Sequence, residues 1–189
     1  MAMKPRLSNK EQRRLGSEGE DVVRQWLKKQ GYVILPSSLI ETGKAPMLEG
    51  EVSRTILPNN LTWLQKRAGW IEVKTKSHPT KHENPPRRYE HGLPLRHWNA
   101  YLNIQEETAI PVSLAILEIE SGLLLMQYVD KLAMNKRGFY MDGEPHIYLS
   151  RDDFDMIPIN LNLPDPIQPL AERTLKQCPA PTYKQERLL

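Results

Sequence analysis

The segment that most constrains the fold is a hairpin pattern between residues 56 and 76. Two apolar runs, 56–64 and 70–76, flank a turn-forming stretch, which predicts two antiparallel strands. Successive side chains of a strand point to opposite faces. The second strand therefore has an apolar face with Ile71, Val73 and Thr75, and a charged face with Glu72, Lys74 and Lys76. The apolar face predicts packing on a helix, and the charged face predicts contact with solvent or with a functional site.

The rest of the sequence alternates between helical and strand-like patterns. Apolar spacing predicts long helices over 8–30 and 95–108 and a short one over 129–134. Strands are predicted over 32–35, 110–119, 123–128 and 147–149. Residues 36–55 and 77–94, rich in proline or in glycine and charges, predict irregular loops. This order predicts an α/β fold, a mixed β-sheet flanked by helices.

The two ends of the chain differ from its centre. Residues 1–7 form a basic arm, residues 8–157 carry the predicted domain, and residues 158–189 form a Pro-rich C-terminal tail. We expect the tail to be extended; because it offers few apolar residues to bury, a flexible tail is the alternative. Its composition is compatible with wrapping around its own domain or around a second copy of the chain in a homodimer.

Charge and cysteine content narrow the class of protein. The net charge of +3 is compatible with a nucleic-acid partner. Cys178 is the single cysteine, so no internal disulfide can form, which suits a reducing compartment. The N-terminus lacks a signal-peptide pattern, and no run of 18 apolar residues occurs. We therefore expect a cytoplasmic protein with no membrane span.

The charged face of the second hairpin strand has the chemistry of a phosphodiester site. Glu72 can ligate a hard cation such as Mg²⁺, which prefers oxygen ligands. Lys74 lies two strand rises away, about 7 Å along the same face, where it can hold a phosphate or orient a water molecule. The alternative is that both residues decorate the exposed face of an antiparallel sheet, since Glu-x-Lys triplets are common.

Pro58-Asn59, followed by Glu72-Val73-Lys74, resembles the motif of the PD-(D/E)xK, or restriction-endonuclease-like, nuclease superfamily. Asn59 stands where the family usually has an aspartate. Residues 16–20, the amphipathic helix and residues 31–35 resemble the opening of the Holliday-junction-resolvase-like branch, in which a helical glutamate, here Glu20, completes the metal site. The resemblance covers residues 12–130.

The resemblance implies a metal-dependent DNA endonuclease that hydrolyses phosphodiester bonds. Glu72, Asn59 and Glu20 would hold Mg²⁺ or Mn²⁺, and Lys74 would position the water or the scissile phosphate. Two capping boxes, Ser8 with Glu11 and Ser17 with Glu20, compete for the start of the first helix, so Glu20 has an alternative role as a capping residue.

The amide at position 59 leaves three explanations open, because one negative charge fewer weakens a divalent site. Asn59 ligates weakly while Glu20 and Glu72 supply the charge; an acid from the preceding loop, Glu49 or Glu51, has moved in; or catalysis is lost and binding is kept. A second alignment would place Ser53 at the acid position, but the distance from Asn59 to Glu72 suits a tight hairpin better.

Substrate contacts are predicted in the basic and aromatic segment after the site strand. Arginines clamp phosphates, and aromatic rings stack on bases. The residues assigned to this role are Arg87, Arg88, Arg96 and His97, together with Lys76 on the charged face. The alternative is that the arginines are solvated and that Trp98 and Tyr101 belong to the core of the second helix. Histidines in this segment are interpreted as polar loop residues, since a zinc site is not supported by any nearby cysteine.

Three functions compete on this sequence. The first is the DNA endonuclease described above. The second is a catalytically inactive nuclease-like protein that serves as a DNA-binding or assembly protein. The third is an α/β protein without a nucleic-acid role, for which the absence of salt-dependent DNA binding would be diagnostic.

Overall fold

The computed structural model describes residues 8–39, 47–49, 54–82, 88–141 and 143–159. The predicted basic arm and the tail beyond residue 159 lie outside the described residues. The same holds for Arg87, Glu51 and Ser53, and for the side chain of Glu49.

The described residues contain three α-helices: α1 (Asn9–Lys29), α2 (Leu95–Thr108) and α3 (Val129–Ala133). Ser8 begins α1, since its hydroxyl accepts the Glu11 backbone N–H at 3.3 Å and the Glu11 carboxylate accepts the Ser8 N–H at 2.8 Å. The capping interpretation of Ser17 and Glu20 is therefore wrong, and Glu20 lies inside the helix. None of the described helices has the length and apolar character needed to cross a membrane.

The strands are β1 (Val33–Pro36), β2 (Met47–Glu49), β3 (Arg54–Ile56), β4 (Asn60–Leu64), β5 (Arg67–Lys76), β6 (Thr80–His82), β7 (Arg88–Pro94), β8 (Val112–Glu118), β9 (Leu123–Tyr128), β10 (Arg137–Met141), β11 (Glu144–Ser150) and β12 (Asp155–Pro158). Six of them form one mixed sheet in the order β1-β4-β5-β8-β9-β12. β5 and β8 are parallel and joined through α2, and the other neighbours in this sheet are antiparallel. The predicted α/β class, a mixed sheet flanked by helices, is confirmed.

The predicted hairpin exists, with two corrections. The first strand is interrupted, because residues 57–59 separate β3 from β4 and β3 pairs with β2 instead. The turn is shorter than predicted: Gln65 and Lys66 form it alone, with φ angles of 49° and 70° that suit the twist of a tight hairpin. Asn60 pairs with Ile71, so Asn59 lies just beyond the last pair, opposite Glu72.

The described parts of the segment 77–94, residues 77–82 and 88–94, are largely β-strand, so the predicted loop is wrong there. β6 and β7 lie within it and join β11 and β10 in a second sheet of order β10-β11-β7-β6. The polar residues of this segment suggested an exposed loop. Glu90 and His91 are nevertheless only 1% and 2% exposed, because their partners lie on distant elements. Residues 36–55 likewise contain β2 and part of β3, and β10 and β12 were not predicted at all.

The six-stranded sheet lies between two apolar layers. On one side α1 packs with Val23 and Leu27 against Ile71 and Val73 of β5, as the alternation in β5 predicts. On the other side α2, α3 and the second sheet enclose a larger core that includes Trp98 and Leu114. The charged face of β5 therefore points toward α2 and the second sheet and not into bulk solvent.

Gly19 sets how closely α1 approaches the sheet. A Cβ atom at this position would lie 2.0 Å from the Thr75 hydroxyl oxygen, so only glycine allows the contact. Glu20 is the next residue, and the close approach brings it to the edge of β4 and β5.

Candidate active site

A cavity of about 330 Å³ opens beside β5, where α2 and the segment before β4 converge. Its lining includes five of the residues predicted from the sequence, which are Asn59, Glu72, Lys74, Arg96 and His97. The remaining lining residues are Ser37, Ser38, Ile56, Leu57, Ala100 and Tyr101. The cavity therefore brings together the predicted site residues of the hairpin and of α2.

Glu72 lies at the centre of the hydrogen bonds in this cavity. It is only 6% exposed, and its carboxylate accepts hydrogen bonds from the Lys74 ammonium at 2.5 Å, the Tyr101 hydroxyl at 2.8 Å and the Asn59 backbone N–H at 3.0 Å. The charge of a buried carboxylate is thereby compensated by one cation and two neutral donors.

Asn59 joins three elements through all of its polar groups. Its backbone N–H donates to Glu72, and its carbonyl accepts from the Ser37 N–H at 2.9 Å. Its side-chain oxygen accepts the Val73 backbone N–H at 2.7 Å, and its side-chain nitrogen donates to Glu20 at 3.3 Å. The backbone donor of Val73 fixes this orientation, because a rotated amide would place two N–H groups against each other.

Glu20 reaches the same cluster from α1. The second carboxylate oxygen of Glu20 lies 3.8 Å from the Arg24 guanidinium. Burial raises the pKa of Glu20 above its ordinary value, the charge of Arg24 opposes this shift, and the charge of Glu72 adds to it. Two carboxylates, one amide and one lysine thus meet at the start of β4.

The donor set suits a hard divalent cation of the Mg²⁺ kind. Within the described residues, no three His, Cys, Asp or Glu side chains come together as metal ligands. Mg²⁺ nevertheless binds commonly through one or two carboxylates and completes its shell with water and substrate phosphate. Glu20 and Glu72 are such a pair, whereas Asn59 turns its amide nitrogen, not its oxygen, toward Glu20.

Two predicted substrate contacts lie at the mouth of the cavity. Arg96 is exposed and forms an ion pair with Glu144 at 2.9 Å. His97 is more enclosed, and burial lowers its pKa, with further lowering by the charges of Lys74 and Arg96. The neutral imidazole is therefore favoured at neutral pH.

Other predicted contacts are not brought to this cavity. Arg88 lies on β7, paired in register with His82, and lines neither this cavity nor the one described below. Lys76 faces the same side of the sheet as Lys74 but borders a separate cavity.

Tyr101 belongs to this site, although the sequence analysis assigned it only to the core of the second helix. Its ring is buried at 3% exposure, while its hydroxyl donates to Glu72. Burial, followed by the charge and the hydrogen-bond acceptor of Glu72, raises the pKa of Tyr101 well above its usual range, so the hydroxyl keeps its proton. A buried tyrosine usually needs a polar partner for its hydroxyl. That general rule could have indicated from the sequence that Tyr101 contacts a polar group of the site.

Two solved structures resemble the fold. Hjc, a Holliday junction resolvase from Archaeoglobus fulgidus, is 12% identical, with a TM-score of 0.47 over 74% of this chain and 91% of that one. D212, a nuclease from a fusselovirus, is 8% identical, with a TM-score of 0.43 over 82% of this chain and 90% of that one. No protein-family model and no curated protein matches the sequence. At such low identities and TM-scores, the activity has to be argued from this chain's own residues.

Proposed function

We propose that this chain is a metal-dependent DNA endonuclease that hydrolyses phosphodiester bonds in the cavity beside β5. The observation that carries the proposal is the cluster in which Glu72, Lys74 and Glu20 meet around Asn59. Anionic oxygens for a cation and an ammonium for a phosphate are the groups that phosphoryl transfer requires.

Each residue of the cluster has a separate task. Glu72 and Glu20 would hold Mg²⁺ or Mn²⁺, and the chemistry supplied there is polarisation of the phosphoryl group and activation of water. Lys74 holds the scissile phosphate or orients the attacking water. Tyr101 keeps the Glu72 carboxylate in place, and Asn59 acts as a positioning residue that ties Glu20 to the end of β4.

The cavity mouth would contact the substrate strand. Arg96 is 71% exposed in its side chain, so it can exchange its ion pair with Glu144 for a phosphate contact. The neutral His97 imidazole lies beside it and is able to donate or accept a hydrogen bond. These groups would recognise the phosphate backbone without reading bases. DNA is the proposed partner, because the motif that Asn59, Glu72 and Lys74 resemble belongs to DNA nucleases.

A second candidate function is DNA binding without cleavage. The orientation of Asn59 favours it, since the amide oxygen is engaged by the Val73 N–H and the position lacks the charge of an aspartate. The carboxylate of Glu72 is also occupied by three donors. A cation entering the site would have to displace the Lys74 ammonium or share the carboxylate with it.

The experiment measures cleavage of supercoiled and branched DNA with Mn²⁺ or Mg²⁺, beside Mn²⁺ binding by calorimetry. We expect Glu72→Gln and Lys74→Met to lower the cleavage rate about 100-fold or more, the usual cost of one group that stabilises transition-state charge. Glu106→Gln, which changes an exposed carboxylate on α2, serves as the matched control and should leave the rate unchanged.

The variant Asn59→Asp separates the two functions. An aspartate would place a carboxylate oxygen against Glu20, where the amide nitrogen now lies 3.3 Å away, so we expect tighter Mn²⁺ binding by about tenfold or more. A folded wild-type chain that binds no Mn²⁺ and cuts no DNA, but cuts once Asn59→Asp is introduced, would establish the binding protein and refute the enzyme.

A further inference from the structure

A second cavity, of about 220 Å³, lies where the end of β5 meets the four-stranded sheet. It is lined by hydrogen-bond donors, chiefly Lys76, Thr80, His91, His146 and Tyr148. None of the described residues that line it carries a carboxylate. A cavity with an ammonium, hydroxyls and imidazoles and without acids suits an anion.

Lys76 supplies the charge of this second cavity. Its ammonium forms no ion pair or hydrogen bond with another described residue. Burial lowers its pKa, and the charge of Lys74 lowers it further, so the ammonium lacks the compensation that a bound anion would bring.

The neighbouring carboxylate does not supply that compensation. Glu118 is the register partner of Lys76 on β8, but its oxygens accept from His91 at 2.7 Å, Ser121 at 2.6 Å and Arg151 at 3.0 Å. Because Arg151 balances its charge, the Lys76 ammonium remains the uncompensated charge at this end of the cavity.

Glu118 also fixes the imidazole of His91. The ring nitrogen Nε2 is committed to the carboxylate, and the ring is 2% exposed between the two sheets. A histidine held in this way has its orientation and proton position set by the carboxylate, and Nδ1 is the nitrogen that is not committed to Glu118.

We propose that the second cavity is a phosphate-binding subsite, which takes the phosphate adjacent to the one held at Lys74. This inference rests on the proposed function, since it extends the same DNA strand along β5. Lys74 and Lys76 point to the same face and are separated by two strand rises, about 7 Å. Phosphates of an extended single strand recur at a comparable spacing, so successive phosphates reach successive lysines.

The first test uses inorganic phosphate, with EDTA present and ionic strength held constant with NaCl. Phosphate is titrated while the ring signals of His91 and His146 are followed by NMR. We expect saturable shifts in the wild type and in Lys74→Met, and at least tenfold weaker binding in Lys76→Met, which keeps the length of the side chain and removes its charge. Thr80→Val is a second, conservative variant, and Lys81→Met, an exposed lysine on β6, is the matched control.

The second test compares thymidine dinucleotide and trinucleotide, which carry one and two internucleotide phosphates. The trinucleotide should bind the wild type about tenfold more tightly, and that gain should vanish in Lys76→Met. Unsaturable imidazole shifts, equal phosphate affinity in Lys76→Met and the wild type, or no gain from the second phosphate would each overturn the proposal.

These titrations do not depend on cleavage. If both titrations succeed and no DNA is hydrolysed, the subsite is supported and the endonuclease function is refuted. If DNA is hydrolysed and the titrations fail, the endonuclease function is supported and the subsite is refuted.

Discussion

Glu72 and Glu118 lie on neighbouring parallel strands and face the same side of the six-stranded sheet. Both are almost completely buried, and each accepts hydrogen bonds from three groups. They differ in what surrounds them. Arg151 balances Glu118 in a closed cluster, whereas Glu72 lines a cavity and binds Lys74, whose charge also acts on a second carboxylate, Glu20.

This difference separates two electrostatic environments on one sheet face. The first cavity is lined by Glu72 and Lys74, and a second carboxylate, Glu20, joins their cluster through Asn59, so a cation would complete this cluster. The second cavity presents Lys76 beside a carboxylate that is already balanced, so an anion would complete it. The strand pattern placed charged residues on this face, but the neighbouring elements decided which ligand each end can attract.

The largest expected effect is on stability, at the closed cluster. Glu118→Gln would leave the Arg151 guanidinium without its carboxylate, and such a broken buried pair costs about 3 kcal/mol or more. Urea unfolding followed by fluorescence measures the change. Glu120→Gln, which alters a partly exposed carboxylate beside His78, should cost less than about 1 kcal/mol. An equal loss of stability in Glu72→Gln and Glu118→Gln would contradict the proposed difference between the two carboxylates.

The next effect concerns α1, the helix that brings Glu20 to Asn59. Gly19→Ala would force its Cβ against Thr75, so we expect a loss of about 1–3 kcal/mol in the free energy of unfolding, together with weaker Mn²⁺ binding. Gly16→Ala is the matched control on the same helix. No atom lies within 4 Å of a Cβ there, and alanine should stabilise the helix by up to about 1 kcal/mol. Undiminished Mn²⁺ binding by Gly19→Ala would remove Glu20 from the site.

The smallest expected effect is on how stability depends on pH, which should have opposite signs for Glu118 and Glu20. Burial raises the pKa of Glu118, but the hydrogen bonds from His91 and Ser121 and the charge of Arg151 outweigh it, so the pKa lies below the ordinary 4.5. Its contribution to stability is therefore complete above pH 4.5 and is lost as the pH falls through the folded-state pKa. The gap in stability between the wild type and Glu118→Gln should shrink over that acidic range.

Glu20 should show the reverse sign. Its pKa is raised, so its ionisation opposes folding once the pH rises above 4.5. Relative to the wild type, Glu20→Gln should gain stability as the pH rises from there, in urea titrations with EDTA present. Parallel pH profiles for the two variants would contradict the distinction between Glu118, whose partners outweigh its burial, and Glu20, whose burial outweighs the charge of Arg24.

Local patterns predicted much of the six-stranded sheet. The helix over 95–108 agrees with α2 in both bounds, and the alternation in β5 predicted which face packs against α1. The hairpin spacing predicted Asn59 slightly beyond the pairing position of Glu72, and the observed register, in which Asn60 pairs with Ile71, brings the two opposite each other. The second sheet was missed, because segment 77–94 contains prolines and charges that ordinarily mark a loop. Glu90 and His91 are buried there only because Arg137 and Glu118 meet them.

The sequence by itself determined the polarity of each strand face and the residue types available to the site, since alternation along a strand is a local property of the backbone. Tertiary structure alone decided which charges meet. It joined Glu20 to Asn59 across 39 residues and Tyr101 to Glu72 across 29, and it separated Lys76 from Lys74 into different cavities. Whether a buried charge attracts a ligand depends on the sum of its neighbours, and those neighbours come from elements that only the packed fold brings together.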